Sequence, residues 1–263
     1  MSSAAPSLRA RAFPPNWGAR IAWLALAAYC VYAASQLEIT WERFVFGLDN
    51  GARFIGRMLP PNFDKWQLMV SGLLESLQIA FLSSAIGIAV SLPIGLLAAR
   101  NLMPVWATWP ARFLIALCRS FHPVIVAILF VKAVGFGALA GIAALTVASI
   151  GFVGKLFAEA IEEISLKQVE AIRATGAPFM NVIAFSVLPQ VLARFIGFAT
   201  YQLDSNLRNS TMVGIVGAGG IGGTLFSAFQ RFDYDFVLAI LIAIIAMIMV
   251  SEVASQWVRK SFQ

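Results

Sequence analysis

Apolar residues fall in long blocks broken by short polar stretches, not at the three-to-four-residue spacing of an amphipathic surface helix. Read with a window of about 19 residues, the pattern predicts six spans, at 20–37, 69–99, 106–134, 139–158, 182–203 and 236–257. Between the first two, Glu42, Arg43, Asp49, Arg53, Arg57, Asp64 and Lys65 alternate with aromatics and end in Pro60-Pro61, so 38–66 reads as an interfacial helix and loop. Gly135, Gly137 and Gly141 mark a tight turn between the third and fourth spans. Residues 159–181 form a polar insertion, and 204–235 a polar, glycine-rich loop.

Composition agrees with this. The chain is 60% hydrophobic and 12% charged, which places it among multi-spanning membrane proteins. Backbone amides in hydrocarbon must be paired within their own segment, and the alternation of an outer-membrane barrel is absent, so the expected fold is all-α integral membrane with six transmembrane helices. The net charge of +6 comes from 19 Lys and Arg scattered between apolar blocks, which excludes a nucleic-acid face. Arg9, Arg11, Arg20, Arg100, Arg112, Lys155, Lys167, Arg173, Arg259 and Lys260 fall on the side of the termini, and the positive-inside rule makes that side cytoplasmic. The insertion 159–181 is then cytoplasmic, and the loop 204–235 external. Residues 1–18 precede an apolar run without a clear cleavage site and read as a retained tail.

Chemistry-bearing residues are sparse. Cys30 and Cys118 lie in separate apolar segments, and one His without an H-E-x-x-H pattern leaves neither a metal site nor a catalytic cluster. An intramembrane enzyme ranks low for that reason. Gly217, Gly219 and Gly222 match G-x-G-x-x-G, but a dinucleotide site needs a βαβ unit, and here an apolar run follows almost at once. With Gly220, these glycines suit a flexible external loop folded tightly at membrane depth. No P-loop string occurs, so any ATP and magnesium belong to a partner.

Ionisable groups at bilayer depth are functional candidates by default. Arg112, Lys132 and Glu252 lie near span ends and can snorkel. Arg119, His122 and Arg194 lie deeper, and Arg208, Asn209, Ser210 and Thr211 cluster beside the glycine loop. The insertion contains a short amphipathic helix over 162–175, with Gly176 suited to the left-handed residue that ends it and Pro189 early in the next span. By spacing alone it is an ordinary loop helix, or a handle that a soluble partner grips at its small residues.

Glu170, Ala171, Gly176, Ile183, Leu188 and Pro189 resemble the EAA motif of ABC importer permeases, with Ile172 where an Ala is usual. Arg119-Ser120, Gly154 to Glu162, Tyr201 to Thr211, the glycine loop and Phe232-Asp233-Tyr234 follow the order seen in phosphonate-type permeases. The resemblance runs from about Met69 to the C-terminus. It implies a cytoplasmic tail (1–19), a first transmembrane helix (20–37), a periplasmic interfacial helix and loop (38–68), and a type I importer permease core (69–263) with its coupling region at about 159–181.

The resemblance further implies a non-catalytic subunit in the bacterial inner membrane, termini cytoplasmic, importing phosphonate, phosphite or hypophosphite. Its expected partners are a second copy of itself, a cytoplasmic ATPase dimer, a periplasmic or lipid-anchored solute-binding protein and membrane lipid. Glu170, Ala171, Arg173, Ala174 and Gly176 would engage the ATPase. An oxyanion needs hydrogen-bond donors, so Arg208 to Thr211, with Arg119 and His122, are the expected substrate path. Alternatively, a buried Arg pairs with Asp204 or a backbone carbonyl. A methionine or quaternary-amine cargo is the nearer alternative reading; a stand-alone channel or secondary transporter, working without an ATPase, is the remoter one.

Overall fold

A computed structural model describes residues 17–37 and 40–262. Residues 1–16, with Arg9 and Arg11 of the charge balance, and Glu38 lie outside the described residues. The described residues are helical, without strands, and the chain divides into two compact units, 1–56 and 57–263.

The first unit holds α1 (Trp17–Gln36) and most of α2 (Trp41–Met58). Helix α2 sets Trp41, Phe44, Val45, Leu48 and Ile55 on one side and charged residues on the other. Trp41 stacks on Phe44, with ring centroids 5.4 Å apart, and Asp49 pairs with Arg53 one turn on, at 2.6 Å. An amphipathic helix rimmed by aromatics suits the membrane interface.

The second unit is built around α3 (Trp66–Ala98) and α6 (Ala138–Glu162), packed along their length. The buried positions of α3 are almost all small: Gly72, Ser76, Ala80, Ser83, Ser84, Gly87, Ser91, Gly95 and Ala98. In hydrocarbon no hydrophobic effect drives helices together, so close backbone approach and interhelical hydrogen bonds must do it. A Cβ added at Gly87 would stand 2.4 Å from the Cβ of Ser149 on α6.

Among the described residues, five helices are long and apolar enough to cross a membrane, and a sixth crossing follows if α4 (Val105–Ser120) and α5 (Pro123–Val134) count as one. The third span is therefore not straight, because α4 and α5 meet at 91°. His122 caps α5, its Nδ1 accepting from the Val124 amide at 3.3 Å, and Pro123 takes the first helical position. A helix start is thus written into the middle of an apolar run.

The expected loop at 204–235 is also corrected. Helix α9 (Leu188–Ile215) continues through Asp204 to Thr211, a turn follows, and α10 (Ile221–Gln230) precedes α11 (Tyr234–Phe262). Gln202, Asp204, Asn206 and Ser210, which lower the hydropathy of α9, are buried. Gln202 and Asn206 are 4% and 0% exposed, and both side-chain amides donate to Ser149 Oγ, at 2.9 and 2.8 Å. Asn206 also reaches Ser84 Oγ at 2.9 Å and accepts from Gln202 at 2.9 Å. Ser149 passes its own proton to the Leu145 carbonyl at 2.7 Å, which completes the network. Asn206→Leu should cost only about 1–2 kcal/mol in a detergent unfolding titration, because Ser84 and Ser149 keep carbonyl partners on their own helices and only Gln202 loses an acceptor.

The helix expected at 162–175 is shorter. Helix α6 runs to Glu162, and α7 spans Leu166–Ala174. Beyond it a short helix, α8 (Phe179–Val182), leads through a wide π turn, Ile183–Val187, into α9. Pro189 has no N–H for the Phe185 carbonyl, and the turn widens so that Leu188 N–H reaches Ile183 O.

Candidate functional site

Helix α7 is held by its buried side. Val169 is 2% exposed and packs with Phe157, Ile161, Val182, Val187 and Val191 of α6, α8, the π turn and α9. Ile172 packs beside it. Glu170, Ala171, Arg173 and Ala174 face outward, so this end of the unit presents a two-turn helix with a charged, small-residue outer side. Gly176 adopts φ of +76°, a conformation that side chains other than glycine and asparagine resist, and this stops α7.

Two ion pairs lie just before α7, at the end of α6. Glu162 accepts from the Arg100 amide at 2.8 Å and pairs with Arg112 of α4, whose Nε donates to the Ala98 carbonyl at 2.9 Å. The next residue, Glu163, pairs with Arg194 of α9, and Gln190 accepts from the Ser165 amide at 2.9 Å. Arg194, unexpected from its apolar surroundings in the sequence, therefore lies at the α7 end of the unit.

Arg119 and His122 stand together at the α4/α5 break, both exposed. Arg119 packs against Gly151, where a Cβ would come within 2.7 Å of its Cγ, close to the middle of the 25-residue α6. Among the described residues it has no ion pair. On α9, Arg208 and Asn209 lie one turn beyond Ser205, to which Asn209 donates at 3.4 Å. Arg208 pairs with Asp204 at 2.7 Å, and Asp204 also accepts from Ser251 of α11 at 3.3 Å. Ser210 and Thr211 point elsewhere: Ser210 is fully buried and donates to the Leu207 carbonyl, and the Thr211 hydroxyl is buried without a partner. Among the described residues, no hydrogen bond or ion pair joins the Arg119 group to the Arg208 group.

Gly217, Gly219 and Gly220 form the turn between α9 and α10, each with φ between +81° and +89°. The turn is closely packed: Gly217 O accepts from the Gly137 amide at 3.0 Å, and Ser76 Oγ accepts from the Ile221 amide at 2.9 Å. Gly222 belongs to the first turn of α10, not to the loop, and lies against α9.

One charge was overlooked in the sequence. Glu75, in α3, has no ion pair among the described residues and lines a cavity of about 360 Å³ with Lys65, Gly219, Gly220, Arg231 and Asp233. Its signal was a single carboxylate inside an apolar window. Lys65 is already committed to Asp233 at 2.8 Å.

Residues 91–263 match the family model described as the binding-protein-dependent transport system inner membrane component. The phosphate-import permease protein PhnE of Mycolicibacterium smegmatis is 42% identical over 236 residues, 89% of this chain, which spans only 44% of that protein's length. The phosphite transport system permease protein PtxC of Stutzerimonas stutzeri is 41% identical over 218 residues, 82% of this chain and 79% of that protein. Among solved structures, a chain of the MetNI methionine ABC transporter in an inward-facing crystal form superposes with a TM-score of 0.65 at 24% identity, covering 77% of this chain and 99% of that one. The helical architecture is accordingly that of type I ABC importer permeases. The chain belongs to the family of binding-protein-dependent transport system inner membrane components.

Proposed function

We propose that this chain is the membrane-spanning, non-catalytic subunit of an ATP-driven importer of phosphorus oxyanions: phosphonate, phosphite or hypophosphite, with phosphate brought in by the M. smegmatis relative. Two copies would form the path at their interface, two ATPase subunits would grip the outer side of α7 in the cytoplasm, and a solute-binding protein would deliver the anion outside. ATP and magnesium are bound by the ATPase.

The observation that carries the path reading is Arg119. Arg119 is an exposed cation of α4 whose stem packs against Gly151 near the middle of α6, and with no counter-ion among the described residues it cannot face lipid without a cost of several kcal/mol. It must meet a partner or water, and a cationic, donor-rich surface is what an oxyanion needs. Arg208 adds a second cation on α9, paired with Asp204 at 2.7 Å, which suits a path that holds its cargo weakly. Ser205 and Asn209 join it at the surface. The residues proposed for the path are Arg119, His122, Ser205, Arg208 and Asn209; Ser210 and Thr211 act behind it.

The cargo rests on the relatives. The phosphate-import and phosphite permease proteins reported above are 42% and 41% identical, while a methionine permease protein of Vibrio cholerae stands at 25%. The test is competition. Cells carrying the permease with its ATPase and binding protein should take up labelled phosphite or methylphosphonate, and the unlabelled phosphorus oxyanions should compete where D-methionine and glycine betaine do not. Competition by methionine or the betaine instead would transfer the reading to those cargoes. Arg119→Ala should lower uptake on the order of tenfold, and Arg119→Lys should recover part of it.

A further inference from the structure

We propose that Glu162 and Glu163, consecutive at the end of α6, form a two-pronged joint that carries motion of α7 to both path-bearing helices. Glu162 holds α4 through Arg112, and Glu163 holds α9 through Arg194. Each prong has a second tie: Asn101 Nδ2 donates to the Ile161 carbonyl at 2.7 Å, and the Ser165 amide to Gln190 at 2.9 Å. The buried side of α7 is fixed to the same end by Val169.

What lies further along the two helices gives the joint its purpose. On α4, Arg119 follows Arg112 by seven residues, two turns on the same side and about 10 Å away. On α9, Tyr201 and Arg208 follow Arg194 at seven-residue intervals, so Arg208 lies about 21 Å from the joint along one continuous helix. Tyr201 is itself fixed, stacked on Phe152 of α6 with ring centroids 5.5 Å apart. A displacement of α7 therefore moves the guanidiniums of Arg119 and Arg208 together, each on a rigid lever. Arg112, Arg194, Glu162 and Glu163 are positioning residues in this scheme.

Magnitudes separate this from a structural role. The Arg194 and Glu163 side chains are 52% and 65% exposed, and a pair so open to solvent adds little to stability. Its loss should leave the chain folded and change what ATP does.

The inference rests on the proposed function, and the experiment keeps the two apart. In a chain with Cys30 and Cys118 replaced by serine, Ser205→Cys gives one thiol on α9 between Tyr201 and Arg208. The permease–ATPase complex is treated with a water-soluble maleimide, with and without ATP and vanadate. Trapping should change the labelling rate at least about fivefold in the parent, and Arg194→Gln, Glu163→Gln and Glu162→Gln should each reduce that change below about twofold. The exchange Arg194→Glu with Glu163→Arg should restore it. An unaltered response in the single variants, no restoration in a charge exchange that still copurifies with the ATPase, or no response in the parent would each overturn the joint. If labelling responds to ATP but the permease carrying its own Ser205, Cys30 and Cys118 takes up neither phosphite nor methylphosphonate, the cargo reading fails and the joint stands.

Discussion

Gly222→Val should prevent the second unit from assembling. A Cβ at Gly222 would stand 1.9 Å from the Thr211 carbonyl oxygen and 2.9 Å from the Ile215 nitrogen, both of them backbone atoms of α9 that no rotamer change can clear. The contact is reciprocal, since a Cβ on Gly214 would come within 2.9 Å of Gly222 Cα. Helix α10 would have to move off α9 and draw the packed turn 216–220 with it. The expected cost is about 3 kcal/mol or more, seen as loss of a single species in detergent and a collapse of the unfolding midpoint. Gly223 supplies the control. Its Cβ position has only the Gly214 oxygen nearby, at 3.5 Å, an ordinary contact. Gly223→Ala should be neutral or stabilising, by up to about 1 kcal/mol. Equal behaviour of the two variants would contradict the packing.

Gly176→Pro should leave the chain folded and remove ATP-driven uptake, on the order of 100-fold. Proline fixes φ near −65°, whereas this residue stands at +76°, so the link between α7 and α8 cannot keep its course. Only Val169 anchors α7 deeply, so the cost to the core is local. Gly176→Asn, which tolerates the left-handed conformation, should retain most of the uptake. An ordinary loop helix would show none of this: the ATPase would still copurify and uptake would persist in the proline variant.

The long apolar blocks made the all-helical membrane fold legible: four spans were found as helices or parts of them, the span at 106–134 as two helices meeting at 91°, and the span at 182–203 across α8, the π turn and α9. What failed was reading polarity as exposure. Averaged hydropathy ended the fifth span at Leu203 because Asp204, Asn206 and Ser210 follow, yet those side chains have partners inside the protein, and α9 runs on to Ile215. A window cannot register that Ser83, Ser84 and Ser149, far away in sequence, accept the amide hydrogens of Asn206, or that Asp204 accepts from Ser251 of α11. The α4/α5 break was legible in principle, since His122-Pro123 is a cap followed by a proline at the first helical position, but six uniform spans left no place for it. Gly222 was grouped with its neighbours by composition, although it packs within a helix where they turn. The pairs Glu162–Arg112 and Glu163–Arg194 could not be read, because 50 and 31 residues separate the partners. Arg112 and Arg194 looked like two unrelated cations until the fold paired them with consecutive carboxylates at the end of α6.

The central claim is that this chain is a path driven from outside itself. It is tested most directly in lipid vesicles holding the permease alone or with its ATPase, the binding protein and labelled phosphite on one side and ATP with magnesium on the other. Uptake that requires the ATPase, hydrolysable ATP and the binding protein together is the predicted result. Phosphite entry at the same rate through the permease alone, or entry driven by an ion gradient without ATP, would contradict it.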